Sequence, residues 1–576
     1  ADLDALDIKD AVRSKLRDGR ESAELSKTLA TIRTDAPVEF SLDDCALGEP
    51  DNDRLYELFS RLGFNKLIEK MNLSAAEPEQ LSFDSLDIPA GIDTSKIGSN
   101  IKDLIREGDA TDYTFDVSLA AYLVSPTDKS YDLETLSRRY LGLGLGDGED
   151  ARRFALAQLY TVLSEKLEED GTERLFYDVE MPLCRTLADM ERAGVLVDRD
   201  ALYTYGEMLT ERIDRAEGRV YELSGEVFNI ASPKQLGEVL FDPAKLGLPS
   251  PKKTKTGYST AADVLDKLEH PVIAEIKNYR ELTKLKATYA DGLLKVIAPD
   301  GRIHTSFQMT VTATGRLSST EPNLQNIPIR RELGAELRKM FVAPEGSLLV
   351  DADYSQIELR LLAHIAGDAA MVEAFKNGED IHAVTAAKVF GVPLSEVTHE
   401  LRGRAKAVNF GIVYGISPFS LSQDIGVSVG EAKEYMDSYF ERFSGVRAYM
   451  TDIVERAKRD GYVSTLFGRR RNIPELKSRD HNVRAFGERV ALNTPIQGTA
   501  ADIIKIAMVA VSRRLSAEAA DSKLILQVHD ELIAEAPEAD AARVAQLLKS
   551  EMERAAELSV PLTVEASVGR SWGDCK

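Results

Sequence analysis

Two acidic residues sit where a rigid backbone and negative charge could combine. Asp353 follows the run Ser347-Leu348-Leu349-Val350 through Asp351-Ala352, which reads as a strand. Asp530 lies between Leu524-Ile525-Leu526-Gln527-Val528 and Leu532-Ile533-Ala534, the pattern of a hairpin with His529-Asp530-Glu531 at its turn. Carboxylates on rigid elements are the usual means of holding two divalent cations about 4 Å apart, which neutralise the attacking and leaving oxygens of nucleotidyl transfer. If the two strands pair in one sheet, both carboxylates meet at one edge. Taken alone, an aspartate after a strand is more often a cap or turn residue. Asp351 would share a face with Asp353, and Glu531 adjoins Asp530, so the two-residue period of a strand does not separate metal ligands from their neighbours.

Arg402, Lys406, Phe410 and Tyr414 recur every four residues between Leu401 and Gly415. Steps of four at about 100° per residue keep them on one broad helical face that begins with two cations and ends with two rings. Arginine and lysine suit a triphosphate, and the rings can stack on a base or sugar. An ordinary amphipathic helix, with its aromatics in a core and its cations in solvent, has the same spacing. The segment from Thr312 to Arg330 is dense in hydroxyls, amides and arginines, groups that satisfy phosphate, sugar and minor-groove acceptors without reading sequence. A plain polar loop would look the same.

The elements that must position these groups belong to a large chain. Its 576 residues, 43% of them hydrophobic, can bury several cores, and typical domain sizes suggest about three to five domains. No stretch approaches the roughly 20 apolar residues that cross a bilayer, and neither an initiating Met nor a signal-like segment opens the chain. A cytoplasmic monomer that begins in mid-protein is expected. Cys45, Cys184 and Cys575 lack metal-ligand spacing, which argues against a disulfide scaffold or zinc site. The net charge of -23 argues against a generally basic surface, yet it constrains only the average. Lys252-Lys253-Thr254-Lys255, Arg330-Arg331, Arg338-Lys339 and Arg469-Arg470-Arg471 could line a basic cleft, although each run alone reads more readily as a solvated face.

Residues 1 to about 70 read as helices, and the pattern weakens from about 71 to 170. There the run Gly142-x-Gly144-x-Gly146-x-Gly148 suggests a flexible connection rather than a phosphate cradle. A helix through Met181, Leu183, Leu187 and Met190 stops at Gly194. Helices follow over 201 to 295, broken at Ser232-Pro233 and by the loop from Pro249 to Gly257, and again from about 357 to 460.

In order and with their neighbours, these segments resemble the family A DNA polymerases. Asp353-Tyr354-Ser355-Gln356-Ile357-Glu358-Leu359-Arg360 is similar to the family's motif A, Arg402 to Gly415 to motif B, and Gln527-Val528-His529-Asp530-Glu531-Leu532 to motif C. Asn493 to Asp502 and Thr314-Gly315-Arg316-Leu317-Ser318-Ser319 add two further matches. The resemblance, to the bacterial large-fragment (Klenow-type) form, implies an α+β multidomain fold: a right-hand polymerase of palm, fingers and thumb, preceded by a shortened RNase H-like 3'-5' exonuclease-type domain. It implies that 1–70 is the remnant of a 5' nuclease, 71–170 a vestigial exonuclease-like domain, and 171–576 the polymerase. Within the last, palm would be 171–200, 301–360 and 476–576, thumb 201–300 and fingers 361–475.

Residue by residue, the resemblance implies a catalytic set of Asp353, Asp530 and Lys406, with Asp353 and Asp530 holding two Mg2+ ions, or Mn2+ in their place. Gln356, Glu358, His382, Arg402, Lys406, Phe410 and Tyr414 would bind the incoming deoxynucleoside triphosphate. Glu358 would lie beneath the sugar C2 position and exclude ribonucleotides. Arg280, Lys284, Arg316, Asn323, Gln325, Asn493, Gln497 and His529 would contact primer-template DNA, with Asp351 and Glu531 supporting the metal ligands from behind. In the family, phenylalanine at the place of Phe410 goes with rejection of dideoxynucleotides. The setting implied is replication and repair in the nucleoid.

Segment 71–170 is too short by roughly half for a complete editing domain of this kind, whose two metals need clustered acids. The family's Asp-x-Glu motif is missing, Leu104 stands where an aspartate is required in Asn100-Ile101-Lys102-Asp103-Leu104, and Phe83-Asp84-Ser85-Leu86-Asp87 reads as a surface turn. No proofreading is expected. The competing readings are a silent nucleic-acid-binding protein, opposed by the intact acids at 353 and 530, an exonuclease that keeps its polymerase body as a scaffold, opposed by the damaged editing motifs, and an RNA polymerase, opposed by Glu358.

Overall fold

The computed structural model describes residues 19–32, 50–61, 64–73, 88–89, 91–145, 148–249, 257–328 and 332–575. Cys45, the 83–87 turn, Lys252-Lys253-Thr254-Lys255 and Arg330-Arg331 lie outside the described residues. The chain divides into two compact units, Ala1–Pro78 and Glu79–Lys576. The described part of the first is helical, as read, with helices Arg20–Ala30, Asn52–Arg61 and Asn65–Lys70. Among the described residues no helix is long and apolar enough to cross a membrane.

The second unit opens with a short parallel pairing of Ile97–Gly98 with Phe115–Asp116. Asp116 caps the next helix, α1 (Val117–Val124), accepting from the Ser118 and Leu119 amides, and it also accepts from the Asn100 and Ile101 amides. Its apolar run, VSLAAYLV, is buried from Val117 to Leu123. A helix that is apolar nearly all round gives no one-sided period, which is why this stretch read weakly in sequence. The glycine run is a connection, as expected where described: Gly142 ends a helical turn at φ 70° and Gly148 precedes α2 (Glu149–Asp170) at φ 114°.

Helix α3 (Met181–Ala193) stops at Gly194. Helix α4 (Arg199–Ser224) packs along α5 (Pro271–Lys284), and a second core forms between them from Val220, Leu236, Leu240, Phe241 and Ile276. This core is separate from the main one, so the described residues between 220 and 276 have their own apolar centre.

A four-stranded sheet carries the candidate site. Its strands are β1 (Ser347–Tyr354), β2 (Lys523–Val528), β3 (Glu531–Pro537) and β4 (Val564–Gly569), in the order β2-β3-β1-β4 with every pairing antiparallel. β1 is flanked on both sides, and Leu349, Val350 and Ala352 are fully buried. The edge strand β4 was not read in sequence, although Val564, Ala566 and Val568 alternate with polar residues along it. After β1 come α6 (Ile357–Ala366), then α7 (Ile381–Val389) packed against α8 (His399–Val413), and finally the 38-residue α9 (His481–Glu518).

Four charged side chains are buried together in the interior. Glu180 accepts from Lys505 Nζ (2.7 Å) and from Arg469, and Asp502 accepts from Arg469 Nε (2.8 Å) and the Thr465 hydroxyl (2.7 Å). The solvated-face reading of Arg469-Arg470-Arg471 therefore fails at its first residue, which is buried. Two acids against two bases is a balance under which buried charge is tolerated, and removing one member leaves another uncompensated. Arg469→Met is expected to cost about 3–5 kcal/mol of stability, measured as a lower urea midpoint. An unchanged midpoint would show that the network carries no such weight.

Candidate active site

The sheet brings the two acids together. Asp353 opposes Glu531 across β1 and β3, and the Tyr354 amide donates to the Asp530 carbonyl (3.1 Å), so the hairpin turn lies beside the end of β1. Gln356 and His529, three residues after Asp353 and one before Asp530, both adopt left-handed backbone at φ 55°. Such conformations are uncommon outside glycine and tend to collect at functional sites. Burial first, and the charge of Asp353 second, push Asp530 up to about 7. Two carboxylates crowded in this way favour a bound cation, whose charge relieves both. Among the described residues no group of three or more His, Cys, Asp or Glu side chains is placed to hold a metal. Magnesium bound through one or two carboxylates, with water and phosphate oxygens completing its shell, needs no more protein ligands, so the donor set fits.

Burial separates the acids that sequence left ambiguous. Asp351 lies on the same face as Asp353 but deeper in the strand, 2% exposed, whereas Asp353 is only half-buried. Glu531 is buried and accepts the Trp572 indole N–H at 2.6 Å. Arg338 stacks on the Trp572 ring at 3.8 Å and comes within 4.0 Å of Glu531. It sets a buried positive charge near Glu531, Asp351 and Asp353. Sequence reading counted Arg338 as one of a basic pair and missed this role, because its partners come from the far end of the chain.

The helix face predicted from four-residue spacing exists. Arg402, Lys406 and Phe410 lie on α8 and Tyr414 caps its end, with the Phe410 and Tyr414 rings stacked 6.3 Å apart. Tyr414 donates to Glu358 Oε2 (2.7 Å), and Arg316 donates to the other oxygen, Oε1 (2.5 Å). Glu358 thus ties α8 and the Arg316 turn to the strand-helix unit that holds Asp353. Gln497 on α9 lies near the Tyr414 hydroxyl. Asn493, one turn earlier, has a buried Oδ1 without a hydrogen-bond partner among the described residues, as does the Oε1 of Gln356.

Arg402 is engaged by Asp380, the N-cap of α7, through its Nε (2.5 Å), while Lys406 is exposed and makes no ion pair among the described residues. Asp380 was not anticipated, although an aspartate just before a helical run is a recognisable cap signal. His382 is 2% exposed, and its Nδ1 accepts from Asn409 Nδ2 (2.8 Å), whose Oδ1 takes the Thr385 hydroxyl (3.0 Å). Burial pushes His382 down to about 4, so the ring is neutral. With Nδ1 accepting, its proton sits on Nε2, and any phosphate contact from this residue is that of a neutral donor.

A cleft of about 990 Å³ gathers several of the other expected residues, Arg280 and Lys284 from α5, Gln325 and His529, together with Arg338. Lys284 and His529 are exposed. The Arg280 guanidinium donates to the Thr260 carbonyl (2.6 Å) and hydroxyl (3.1 Å), and the Gln325 amide donates to Gln527 Oε1 (2.9 Å). Asn323 is exposed and accepts from the Gln325 amide N–H (3.0 Å). In this arrangement Arg280 and Gln325 brace the cleft wall, and Lys284 and His529 offer free polar surface.

A family profile described as DNA polymerase family A matches residues 199–574. The chain belongs to that family. This family A polymerase is 41% identical to DNA polymerase I of Caldicellulosiruptor bescii over 99% of its own length and 74% of the relative's. It is likewise 41% identical to DNA polymerase I of Bacillus subtilis (strain 168), covering 98% and 74% of the two chains. A solved structure titled as the POL domain of Pol1 from M. smegmatis in complex with DNA primer-template and dNTP superposes with a TM-score of 0.79 at 45% identity, over 83% of this chain and 86% of that one. This family A polymerase has the mixed helix-and-strand polymerase fold and is a DNA-directed DNA polymerase, an enzyme of template-directed DNA synthesis in replication and repair.

Proposed function

We propose that the chain extends a DNA primer with deoxynucleotides by two-metal nucleotidyl transfer at Asp353 and Asp530, and that it does not proofread. The observation that carries this reading is the placement of the two aspartates side by side at one end of the sheet. The cations, when bound, supply Lewis-acid stabilisation of the oxygens that gain charge. The primer 3' hydroxyl gives its proton to water, its oxygen forms a bond to the α-phosphorus, the bond to the bridging oxygen of the β-phosphate breaks, and pyrophosphate leaves. Asp353 and Asp530 hold the reacting region rigid on paired strands. Lys406 is free to meet the triphosphate as a point charge, and Arg402 meets it by exchanging Asp380 for phosphate. Glu358, fixed by Arg316 and Tyr414, lies beneath the sugar and closes the space that a 2'-hydroxyl would need. Phe410 and Tyr414 stack beside the incoming nucleotide.

Primer-template DNA, the ligand named for the M. smegmatis neighbour, would run through the cleft edged by Lys284 and His529, with Asn493 and Gln497 reaching it from α9. The absence of proofreading is supported by the surroundings of two acids in segment 71–170. Asp103 pairs with Lys102 and Arg106, and Asp116 is buried under four backbone amides.

Extension of a labelled primer with magnesium tests the whole reading. Template-length products from deoxynucleotides but not ribonucleotides, with no shortening in a lane without nucleotide, are expected. A shortened primer there would restore an exonuclease, and no product anywhere would remove the polymerase mechanism. Phe410→Tyr is expected to ease dideoxynucleotide incorporation, read as an increased fraction of terminated products at fixed dideoxy-to-deoxy ratio. An unchanged termination pattern would show that this half-buried ring does not govern the choice.

A further inference from the structure

Tyr122 lies on α1, 190 residues before Thr312 in the chain, and its side chain is fully buried. Its hydroxyl donates to the Thr312 carbonyl (2.7 Å), and the Thr312 hydroxyl donates to the Arg316 carbonyl (2.6 Å). The turn between them is tightly enclosed. Gly315 has φ 88°, and a side-chain carbon there would lie 2.5 Å from Arg469 Nε. One on Gly498 of α9 would lie 3.1 Å from the Thr314 carbonyl oxygen. Arg469 is itself fixed by Glu180 and Asp502, so it cannot yield to a displaced turn. Beyond the turn, the Arg316 side chain reaches Glu358, whose second oxygen takes Tyr414.

We propose that Tyr122 is a positioning residue for sugar selection: its hydroxyl sets the Thr312–Arg316 turn and, through Arg316, the carboxylate of Glu358. The helix that carries it thereby serves polymerisation. The proposal rests on the reading of Glu358 as the group that excludes ribonucleotides.

Tyr122→Phe removes one hydroxyl while keeping the ring, its edge contact with Tyr131 at 5.7 Å and its place near Arg469. Single-nucleotide insertion is measured for wild type, Tyr122→Phe, Glu358→Ala and the double variant, with kcat/KM for a deoxy- and a ribonucleotide in each. The deoxy-to-ribo ratio is expected to fall about fivefold in Tyr122→Phe, the worth of one buried hydrogen bond, and to show no further fall when Glu358→Ala is already present. An unchanged ratio, with both nucleotides slowed alike, would reduce Tyr122 to a general packing role and overturn the proposal. Equal falls in both backgrounds would overturn it too, since the effect would then bypass Glu358. A ratio unaltered by Glu358→Ala alone would instead remove the sugar-gate reading, and this proposal with it.

Discussion

Asp530→Asn is expected to leave primer-template binding within about twofold and to slow extension by at least about a thousandfold, since a carboxylate that clamps a cation supplies several kcal/mol and each 1.4 kcal/mol is tenfold in rate. The asparagine keeps the size of the side chain but offers one neutral oxygen. Folding should not suffer. Asp530 is pushed up to about 7 by burial and by Asp353, so the native state gains nothing from its charge, and removing that charge relieves Asp353. Fluorescence anisotropy with labelled DNA and single-turnover extension separate the two effects. Extension within tenfold of wild type would remove Asp530 from the catalytic set.

Glu358→Ala is expected to raise the ribo-to-deoxyribonucleotide kcat/KM ratio by about a hundredfold, the scale on which a pocket that excludes one small group by shape discriminates. The substitution opens the space under the sugar and also leaves Arg316 and Tyr414 without their shared acceptor. Deoxynucleotide insertion should fall as well, because Tyr414 loses the bond that fixes the end of α8 beside the pocket. Insertion of single ribo- and deoxynucleotides opposite one template base reads both effects. An unchanged ratio would assign sugar selection to another residue.

Part of the pocket's specificity was legible only as residue types. Arg316 and Gln497 were expected at the primer or its minor groove; in this structure Arg316 is hydrogen-bonded to Glu358, and Gln497 lies near Tyr414. Long polar side chains reach several neighbours, and nothing in local sequence decides among them. His382 was expected at the triphosphate, and its burial against Asn409 turns it into a neutral donor at most.

The sequence by itself determined the elements and the chemistry they carry: strand patterns ending at Asp353 and flanking Asp530, four-residue spacing from Arg402 to Tyr414, a helix stop at Gly194 and a helix boundary at Ser232-Pro233, where Ser232 caps the next helix. These are local properties, since strand and helix periods act on neighbours along the chain. Only the tertiary structure decided which acids stand at the surface of the site and which lie beneath it, because Asp351 and Asp353 differ in depth and not in pattern. It likewise decided that Arg469 is buried between Glu180 and Asp502, that Arg338 lies against Trp572, and that Tyr122 touches Thr312. Each of these contacts joins residues distant in the chain, and their energies depend on burial and partner geometry that no sequence period encodes.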